Sequence, residues 1–390
     1  MSSICIVRHR GYGELRTRGE AEALRDAGRD VHVICMRDDD TPRSADVDGV
    51  HVHALPLSRR RGSTMRYLAD YLAFLCAATA LLTFLHLRYR FDVVQVNTMP
   101  DLLVFCSIPA KLMGAKVIAY MKEPSPELAE VKYGAGWRTR VLRMAEQAAL
   151  RYADLALTVT EELKQTYVSR GADPARIRVV LTAPGADQFP PAPSADTADA
   201  ASIHDETFTL LCHGAMEERY GHDTILRAVA LARHRVPGLR LRLTGEGEQL
   251  SRLRELAAGL ELEEHVEFLG WVPRDQLGAE LLAADVGLVA QESSAYSNLV
   301  HTNKMYEYVL FDTPVIATRL KSTAAYFPDE CIRYVTPNDP ASMADAIVEL
   351  YEQPERREEL VRNARRVFEP AGWASQSALF LAAHEEVMAS

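Results

Sequence analysis

Residues 92–121, DVVQVNTMPDLLVFCSIPAKLMGAKVIAYM, carry the clearest fold signal in the chain. A valine-rich run at 92–97 predicts a strand, and an apolar run at 116–121 predicts another. A predicted helix at 101–113 joins them. A strand, a helix and a strand in succession are typical of parallel neighbours in one sheet.

The same alternation covers most of the chain. It begins with a strand at 3–8, ends its first run with a strand at 177–181, and restarts with a strand at 207–213. We therefore predict two Rossmann-like, doubly wound parallel-sheet α/β domains. Because ligands bind at the carboxyl ends of such strands, two domains that face each other would enclose a cleft.

Composition sets the predicted boundaries. The first domain covers 1–185, and a segment rich in proline and small residues at 186–206 is typical of a linker. The second domain covers 207–370. An apolar, helical segment at 371–390 ends the chain.

Charge argues against general nucleic-acid binding, because the 390 residues carry a net charge of -10. The first 185 residues hold 26 basic and 21 acidic side chains, and the remainder hold 18 and 33. The first half is therefore the half expected to face an anionic membrane or acceptor. Six cysteines without a CxxC pair indicate a reducing, cytoplasmic compartment. The N-terminus enters an apolar strand directly, so no signal peptide is expected.

The run at 71–87, YLAFLCAATALLTFLHL, has no charged residue and allows two interpretations. It is shorter than the roughly 20 residues of a spanning helix, which favours a helix buried against a sheet. Alternatively, the helix touches a membrane beside the basic residues Arg59, Arg60, Arg61 and Arg66.

The strongest candidate site is 301–320, HTNKMYEYVLFDTPVIATRL. A polar loop enters a helix there, and free N–H groups at a helix start bind phosphate. Lys304 adds a cation, and Glu307 lies one turn later, where a carboxylate can accept two sugar hydroxyls. The alternative is a solvated Lys–Glu pair on the helix surface.

Two further loops follow strands of the second domain. HGAMEERYG at 213–221 contains Gly214 and Arg219, which could reach a phosphate. Arg219 could equally be a surface arginine among acidic neighbours. TGEG at 244–247 contains Gly245, where the backbone could approach a ligand closely.

The first domain offers weaker candidates. Lys122 and Glu123 follow the strand at 116–121 and would point into the cleft, or would be solvated charges in a proline-stiffened turn. Gly13 lies in a Gly-x-Gly pattern that lacks the third glycine of a dinucleotide fingerprint, because position 16 is Arg16; this disfavours an NAD-dependent oxidoreductase. The acids at 38–40 favour a solvated loop over a metal site. No Cys/His spacing typical of zinc occurs, and no metal or cofactor is predicted.

These segments together resemble a known family, the retaining GT-B glycosyltransferases of family 4 (group 1). The tract NKMYEYVLFDTPVIAT at 303–318 is similar to the family's donor-binding helix and the strand after it. GAMEERYGHDTILRA, LTGEGEQLSRL, VEFLGWVP and LLAADVGLV follow the family's order in the second domain. RGEAEALRDAGRDVHVI, SPELAEVKYGAG, LTVTEELKQTY and APGADQF resemble stretches of the first.

The resemblance implies a role for each candidate residue. Arg219 and Lys304 would hold the donor diphosphate and act in catalysis, and Glu307 would bind the ribose. Other donor-binding positions would be Thr302 and Asn303 at the helix start, Gly214 and Gly245 in the loops, Phe268, Leu269 and Gly270 near the base, and Gly13 and Arg16 from the first domain.

Three positions depart from the family pattern. Leu299 stands where the first of two glutamates is usual, and Ala215 stands where an arginine is common. Lys122 stands where a histidine is frequent, with Glu123 beside it as a second candidate helper. The last helix, 371–390, would return toward the first domain.

The expected activity is metal-independent transfer of a sugar, with retention, from a nucleotide-diphosphate sugar to an acceptor hydroxyl. The acceptor would be lipid-linked or a small metabolite, and the first domain would contact a membrane peripherally. Two alternatives are a UDP-sugar 2-epimerase, for which His213, His222 and His301 are available, and a non-catalytic nucleotide-sugar binding protein.

Overall fold

The structure is a computed structural model that describes residues 2–13, 15–37, 44–57, 64–184 and 207–390. The predicted linker at 186–206, the acidic run at 38–40 and the arginines at 59–61 lie outside these residues. The chain divides into two compact units, Met1–Thr182 with Ala374–Ser390, and Ala183–Trp373.

The first unit is built on a sheet of eight strands within the described residues. Their bounds are β1 Ser3–Arg8, β2 Asp30–Met36, β3 Ser44–Val47, β4 Val50–Leu55, β5 Val93–Thr98, β6 Lys116–Met121, β7 Leu155–Thr158 and β8 Ile177–Val179. The order is β3-β4-β2-β1-β5-β6-β7-β8, and every pair is parallel except β3 with β4. Side chains of β1 and β5 are buried on both faces. The sequence of β1 is accordingly mostly apolar, whereas β5 also buries the polar Gln95 and Asn97.

Helices connect these strands. They are α1 Leu15–Asp26, α2 Thr64–Tyr89, α3 Ile108–Leu112, α4 Ser125–Tyr133, α5 Trp137–Tyr152 and α6 Glu161–Ser169. The single helix predicted at 101–113 is wrong. A 3₁₀ helix, Asp101–Ser107, precedes α3, because Pro109 has no N–H to continue an α-helix through this segment.

Helix α2 buries one face and exposes the other. Tyr71, Phe74, Ala78, Leu82 and Leu85 are buried. An apolar stripe at i, i+4 and finally i, i+3 spacing is exposed: Leu68, Leu72, Cys76, Ala80, Phe84 and Leu87. By length and composition alone Leu68–Tyr89 could cross a membrane, as some core helices of soluble proteins could, and 28% of its most apolar window is buried. The expected buried helix therefore describes only one face.

The second unit has six strands among the described residues, all parallel, in the order β11-β10-β9-β12-β13-β14. The strands are β9 Phe208–His213, β10 Leu239–Thr244, β11 Val266–Gly270, β12 Val286–Val289, β13 Val315–Thr318 and β14 Arg333–Val335. The helices are α7 His222–Ala232, α8 Leu250–Gly259, α9 Arg274–Ala283, α10 Asn303–Leu310, α11 Lys321–Tyr326, α12 Pro340–Glu352 and α13 Pro354–Ala371. The predicted class, two parallel-sheet α/β domains, is confirmed.

The last helix, α14 Trp373–Ala389, packs almost entirely within the first unit. Gln376 Oε1 accepts a hydrogen bond of 2.8 Å from the Leu181 N–H. Arg178 Nη2 lies 2.6 Å from Glu386 Oε1, and Phe380 is fully buried with its ring 6.5 Å from that of Tyr120. All six cysteines are free, and five of them are buried.

Candidate functional site

Two glycine-containing loops lie side by side at the carboxyl ends of β9 and β10. The Gly214 N–H donates to Thr244 O at 3.0 Å, and the Met216 N–H donates to Glu246 O at 2.9 Å. A Cβ atom on Gly245 would overlap the carbonyl oxygen of Gly214. The structure therefore brings the two predicted loops together, and only glycine permits this approach.

Lys304 crosses these loops from the first turn of α10. The helix begins at Asn303, and the N-cap Thr302 Oγ1 accepts a 3.4 Å hydrogen bond from the Lys304 N–H. The side chain passes so close to Gly214 that a Cβ there would lie 2.7 Å from Lys304 Cε. Its Nζ stands 4.4 Å from the centroid of the Tyr220 ring.

The Lys304 ammonium has no carboxylate partner within the part of the chain that the structure describes. Lys304 is 8% exposed, so this charge is held largely away from water. A buried cation without a counterion is costly. The position is consequently suited to an anionic ligand.

Arg219 lies in the short 3₁₀ helix after the first loop. Its Nη1 pairs with Glu217 Oε2 at 2.6 Å, and its guanidinium packs 4.9 Å from the Tyr220 ring centroid and 5.7 Å from that of Tyr296. The Nε atom is buried and makes no hydrogen bond within the described ranges. Arg219 is thus neither a freely solvated arginine nor a free cation.

Two buried histidines complete the loop region. His213 ends β9 and His222 begins α7. Burial is the main cause that lowers the pKa of His222 to about 3, and the nearby charge of Lys304 adds to it. Burial also lowers the pKa of His213 well below 6.5, with smaller contributions from the charges of Lys304 and Arg274. Both rings are therefore neutral near pH 7. From the sequence, His213 and His222 were candidates only for the epimerase alternative.

Glu307 lies one turn after Lys304 and is 9% exposed. Its Oε1 is 3.5 Å from Arg274 Nη2, and its Oε2 is 3.5 Å from His213 Nε2. Arg274 begins α9, directly after the loop that follows β11. Sequence reasoning missed Arg274, although its position just after a strand of the same sheet was an available signal.

The predicted base-binding stretch, Phe268, Leu269 and Gly270, forms the end of β11 and is only partly buried. Gly270 O accepts a 2.6 Å hydrogen bond from the Gly245 N–H, so this stretch adjoins the glycine loops. The guanidinium of Arg254 lies 5.6 Å from the Phe268 ring centroid.

In the first unit, Lys122 is a buried partner of Glu20. It pairs directly with Glu20 Oε1, while Gln95 and Asn97 each donate to Glu20 Oε2 at 2.8 Å. Burial lowers the pKa of Lys122 to about 8, and the charge of Glu20 opposes this shift. The solvated lysine considered from the sequence is wrong, and Glu20 was missed.

The other first-unit candidates flank this pair. Gly13 is exposed just before α1, Arg16 lies in the first turn of α1, and Glu123 is half-buried directly after Lys122. Gly13 and Arg16 follow β1 and Glu123 follows β6, so all three come after the carboxyl end of a strand, where ligands of such sheets bind. Their predicted roles stay predictions.

Two family models match the chain. The glycosyl transferase 4-like domain matches residues 13–182, and the glycosyl transferases group 1 model matches residues 195–367. A D-inositol 3-phosphate glycosyltransferase of Pseudarthrobacter chlorophenolicus is 30% identical over 236 residues, 59% of this chain and 54% of that protein. The chain thus aligns with about half the length of this relative.

A GDP-mannose-dependent phosphatidylinositol monomannoside mannosyltransferase of Mycobacterium tuberculosis is 30% identical over 134 residues, 34% of this chain and 35% of that protein. Among solved structures, sucrose-phosphate synthase from Thermosynechococcus elongatus matches with a TM-score of 0.80 at 20% identity, over 100% of both chains. Anabaena HepE in complex with UDP-glucose matches with a TM-score of 0.75 at 14% identity, over 99% of this chain and 100% of that one. These two likenesses show the fold.

The chain belongs to the group 1, family 4 glycosyltransferases, which have the GT-B architecture of two parallel-sheet α/β domains.

Proposed function

We propose that this protein transfers a sugar from a nucleoside-diphosphate sugar to an acceptor hydroxyl, with retention of the anomeric configuration. The observation that carries the proposal is the buried Lys304 ammonium, which lies over the Gly214 loop and beside Tyr220 with no carboxylate partner among the described residues. A diphosphate would supply the missing counter-charge.

In the proposed reaction the bond between the anomeric carbon and the donor phosphate breaks as the acceptor oxygen bonds to that carbon. Negative charge grows on the leaving diphosphate. Lys304, Arg219 and the N-terminal N–H groups of α10 would stabilise that charge without a metal ion. The acceptor proton would pass to a leaving phosphate oxygen on the same face of the sugar.

Glu307 would accept hydrogen bonds from two ribose hydroxyls. Its Oε1 accepts a 3.5 Å hydrogen bond from Arg274 Nη2, which orients the carboxylate before the donor binds, and its Oε2 lies 3.5 Å from the neutral His213 Nε2. The neutral rings of His213 and His222 add polar atoms without adding charge. In this proposal Lys304 binds the phosphates and Glu307 binds the ribose hydroxyls.

The acceptor is proposed to be a lipid-linked or small polar molecule that carries a hydroxyl. One relative is named for inositol 3-phosphate, and another is named for a phosphatidylinositol mannoside. We further propose a cytoplasmic location, which the six free cysteines support.

The first unit is proposed to contact an anionic membrane surface through α2. Its exposed stripe includes Phe84, 63% exposed, and the neighbouring α3 exposes 83% of Leu112. Arg66, Arg88 and Arg90 are also exposed near the two ends of α2. An apolar face flanked by arginines has the chemistry of an interfacial helix.

The test combines donor screening with two substitutions. A thermal-shift screen of UDP, GDP, TDP and ADP identifies the nucleotide, because a ligand at 100 times its dissociation constant stabilises by about 2.7 kcal/mol. Turnover of the matching donor sugar is then measured for Lys304→Ala, Arg219→Ala and the control Lys321→Ala, an exposed lysine at the start of α11.

We expect kcat to fall roughly 10²–10³-fold in each of the two site variants, the scale of one lost electrostatic stabiliser. The control should match the wild type, and EDTA should leave turnover unchanged. Near-normal turnover in both site variants would refute the proposal. Isomerisation of the donor without an acceptor would instead indicate an epimerase, and binding with no turnover would indicate a sensor.

A further inference from the structure

A cluster of histidines and carboxylates lies at the amino-terminal ends of β2 and β4, away from the candidate functional site. His32 and His51 are register partners on these adjacent strands, and their ring centroids are 4.8 Å apart. Asp30 precedes His32 by two residues and so projects from the same face of the sheet. One ligand atom from each of the three residues lies within 4.8 Å of the other two.

The three residues converge on a small space. His32 Nε2 is 3.5 Å from Asp30 Oδ2, and His51 Nε2 is 3.6 Å from Asp30 Oδ1. His32 is 1% exposed, and its Nε2 makes no hydrogen bond within the residues that the structure describes. A buried ring nitrogen without a hydrogen bond is costly, and this one lies 3.5 Å from the Asp30 carboxylate.

The opposite nitrogen of each ring faces a further polar group. His32 Nδ1 lies 3.0 Å from His53 Nε2, and His51 Nδ1 lies 3.4 Å from Asp46 Oδ2. Histidines that bind metals usually donate their second N–H to such a partner, which fixes the tautomer and directs the lone pair to the metal.

We propose that Asp30, His32 and His51 bind a divalent transition-metal ion, with zinc the best-matched candidate. Two imidazoles and one carboxylate suit zinc, which takes such ligands at about 2.0–2.2 Å in a tetrahedral arrangement. That arrangement places ligand atoms roughly 3.3 Å apart. His32 Nε2 and His51 Nε2 lie 3.5 Å and 3.6 Å from different oxygens of Asp30, Oδ2 and Oδ1, so metal binding would require a small rotation of the carboxylate. The fourth position would hold water.

The metal would have a structural role. Ligands of parallel α/β sheets bind at the carboxyl ends of the strands, whereas Asp30 and His32 lie at the amino end of β2. A bound ion would join β4, and the antiparallel edge strand β3 paired with it, to β2. The site is therefore independent of sugar transfer. Sequence spacing did not indicate it, because only strand register brings the three residues together.

The test uses the full chain after treatment with EDTA and dialysis. Zn²⁺ binding is measured by calorimetry, the melting temperature is followed with and without Zn²⁺, and Co²⁺ reports geometry through its visible absorption. The key variant is His51→Gln, whose side chain is 46% exposed, so the fold should persist. The matched control is His234→Gln, an exposed histidine of the second unit.

We expect one Zn²⁺ per chain, a higher melting temperature with Zn²⁺, and a tetrahedral Co²⁺ spectrum. His51→Gln should weaken binding more than tenfold and abolish the thermal shift, and Asp46→Asn should weaken binding about tenfold, as loss of a ligand's hydrogen-bond partner does. His234→Gln should change nothing. Equal Zn²⁺ affinity in wild type and His51→Gln, or no binding up to millimolar Zn²⁺, would overturn the proposal, and neither result bears on sugar transfer.

Discussion

At the scale of single residues, the proposed donor site depends on one glycine and one lysine. Gly214 has a backbone φ of 102°, a region that residues with a Cβ rarely adopt. The Lys304 side chain fills the space that a Cβ would occupy. The Lys304 ammonium is therefore positioned by the absence of a side chain at Gly214.

Gly214→Ala tests this arrangement. We expect the second unit to lose about 1–3 kcal/mol of stability, because the new methyl group both strains the backbone and displaces Lys304. Nucleotide binding should fall with it. Urea denaturation and calorimetry with the nucleotide found by the donor screen measure the two effects.

The control is Gly259→Ala at the end of α8, where a Cβ would meet no atom within 4 Å. That variant should be as stable as the wild type or slightly more so. Unchanged stability and nucleotide binding in Gly214→Ala would show that Lys304 can move without consequence.

At the scale of elements, α2 combines the two interpretations that its sequence allowed. One face packs in the core, and the other presents leucine, alanine and phenylalanine to the surroundings. The apolar composition alone could not separate these faces, because both are apolar. Only the position of the sheet determines which residues are covered.

Leu72→Glu combined with Phe84→Glu tests membrane contact. Both side chains are exposed, so folding should be unaffected. Binding to vesicles of anionic lipid should weaken at least about tenfold, since burying one such side chain is worth roughly 1.5–3 kcal/mol. Vesicle co-sedimentation measures the change.

Leu231→Glu, an exposed leucine on α7, is the matched control and should bind as the wild type does. The wild type should bind neutral vesicles less tightly than anionic ones. Equal binding by the double variant and the control would remove the proposed membrane surface.

At the scale of the whole molecule, the chain's last helix stabilises the unit in which the chain began. Residues Ala374–Ser390 belong to the first unit, although the preceding residues belong to the second. Phe380 is fully buried there, against Tyr120 of β6. Stability of the first unit thus depends on residues at the opposite end of the sequence.

Phe380→Ala should destabilise the first unit by about 3–5 kcal/mol, the usual cost of removing a buried aromatic side chain. Hydrogen exchange should show lost protection in β6 and β8, with β9 and β10 unchanged. Leu379→Ala, at a 52% exposed position, should change stability by less than about 0.5 kcal/mol. Lost protection in β9 and β10 would contradict the assignment of this helix.

Local patterns predicted the two parallel sheets, the glycine loops and helix α10. These features follow from short-range physics, because strand burial dictates apolar runs and tight loops require glycine. The edge strand β3 was not predicted, because its four residues alternate between exposed and half-buried positions and so form no apolar pattern. The single helix predicted at 101–113 is wrong, because Pro109 prevents an α-helix from running continuously through this segment.

The sequence by itself determined the fold class, and with it the edge of each sheet where a ligand binds. The tertiary structure alone decided which side chains meet there: Glu20 with Lys122, Arg274 with Glu307, and Asp30 with His32 and His51. Glu20 and Lys122, and likewise Arg274 and Glu307, are distant in the chain, and His51 lies on a different strand from Asp30 and His32. Register and packing bring them together, and no local period of the sequence encodes either.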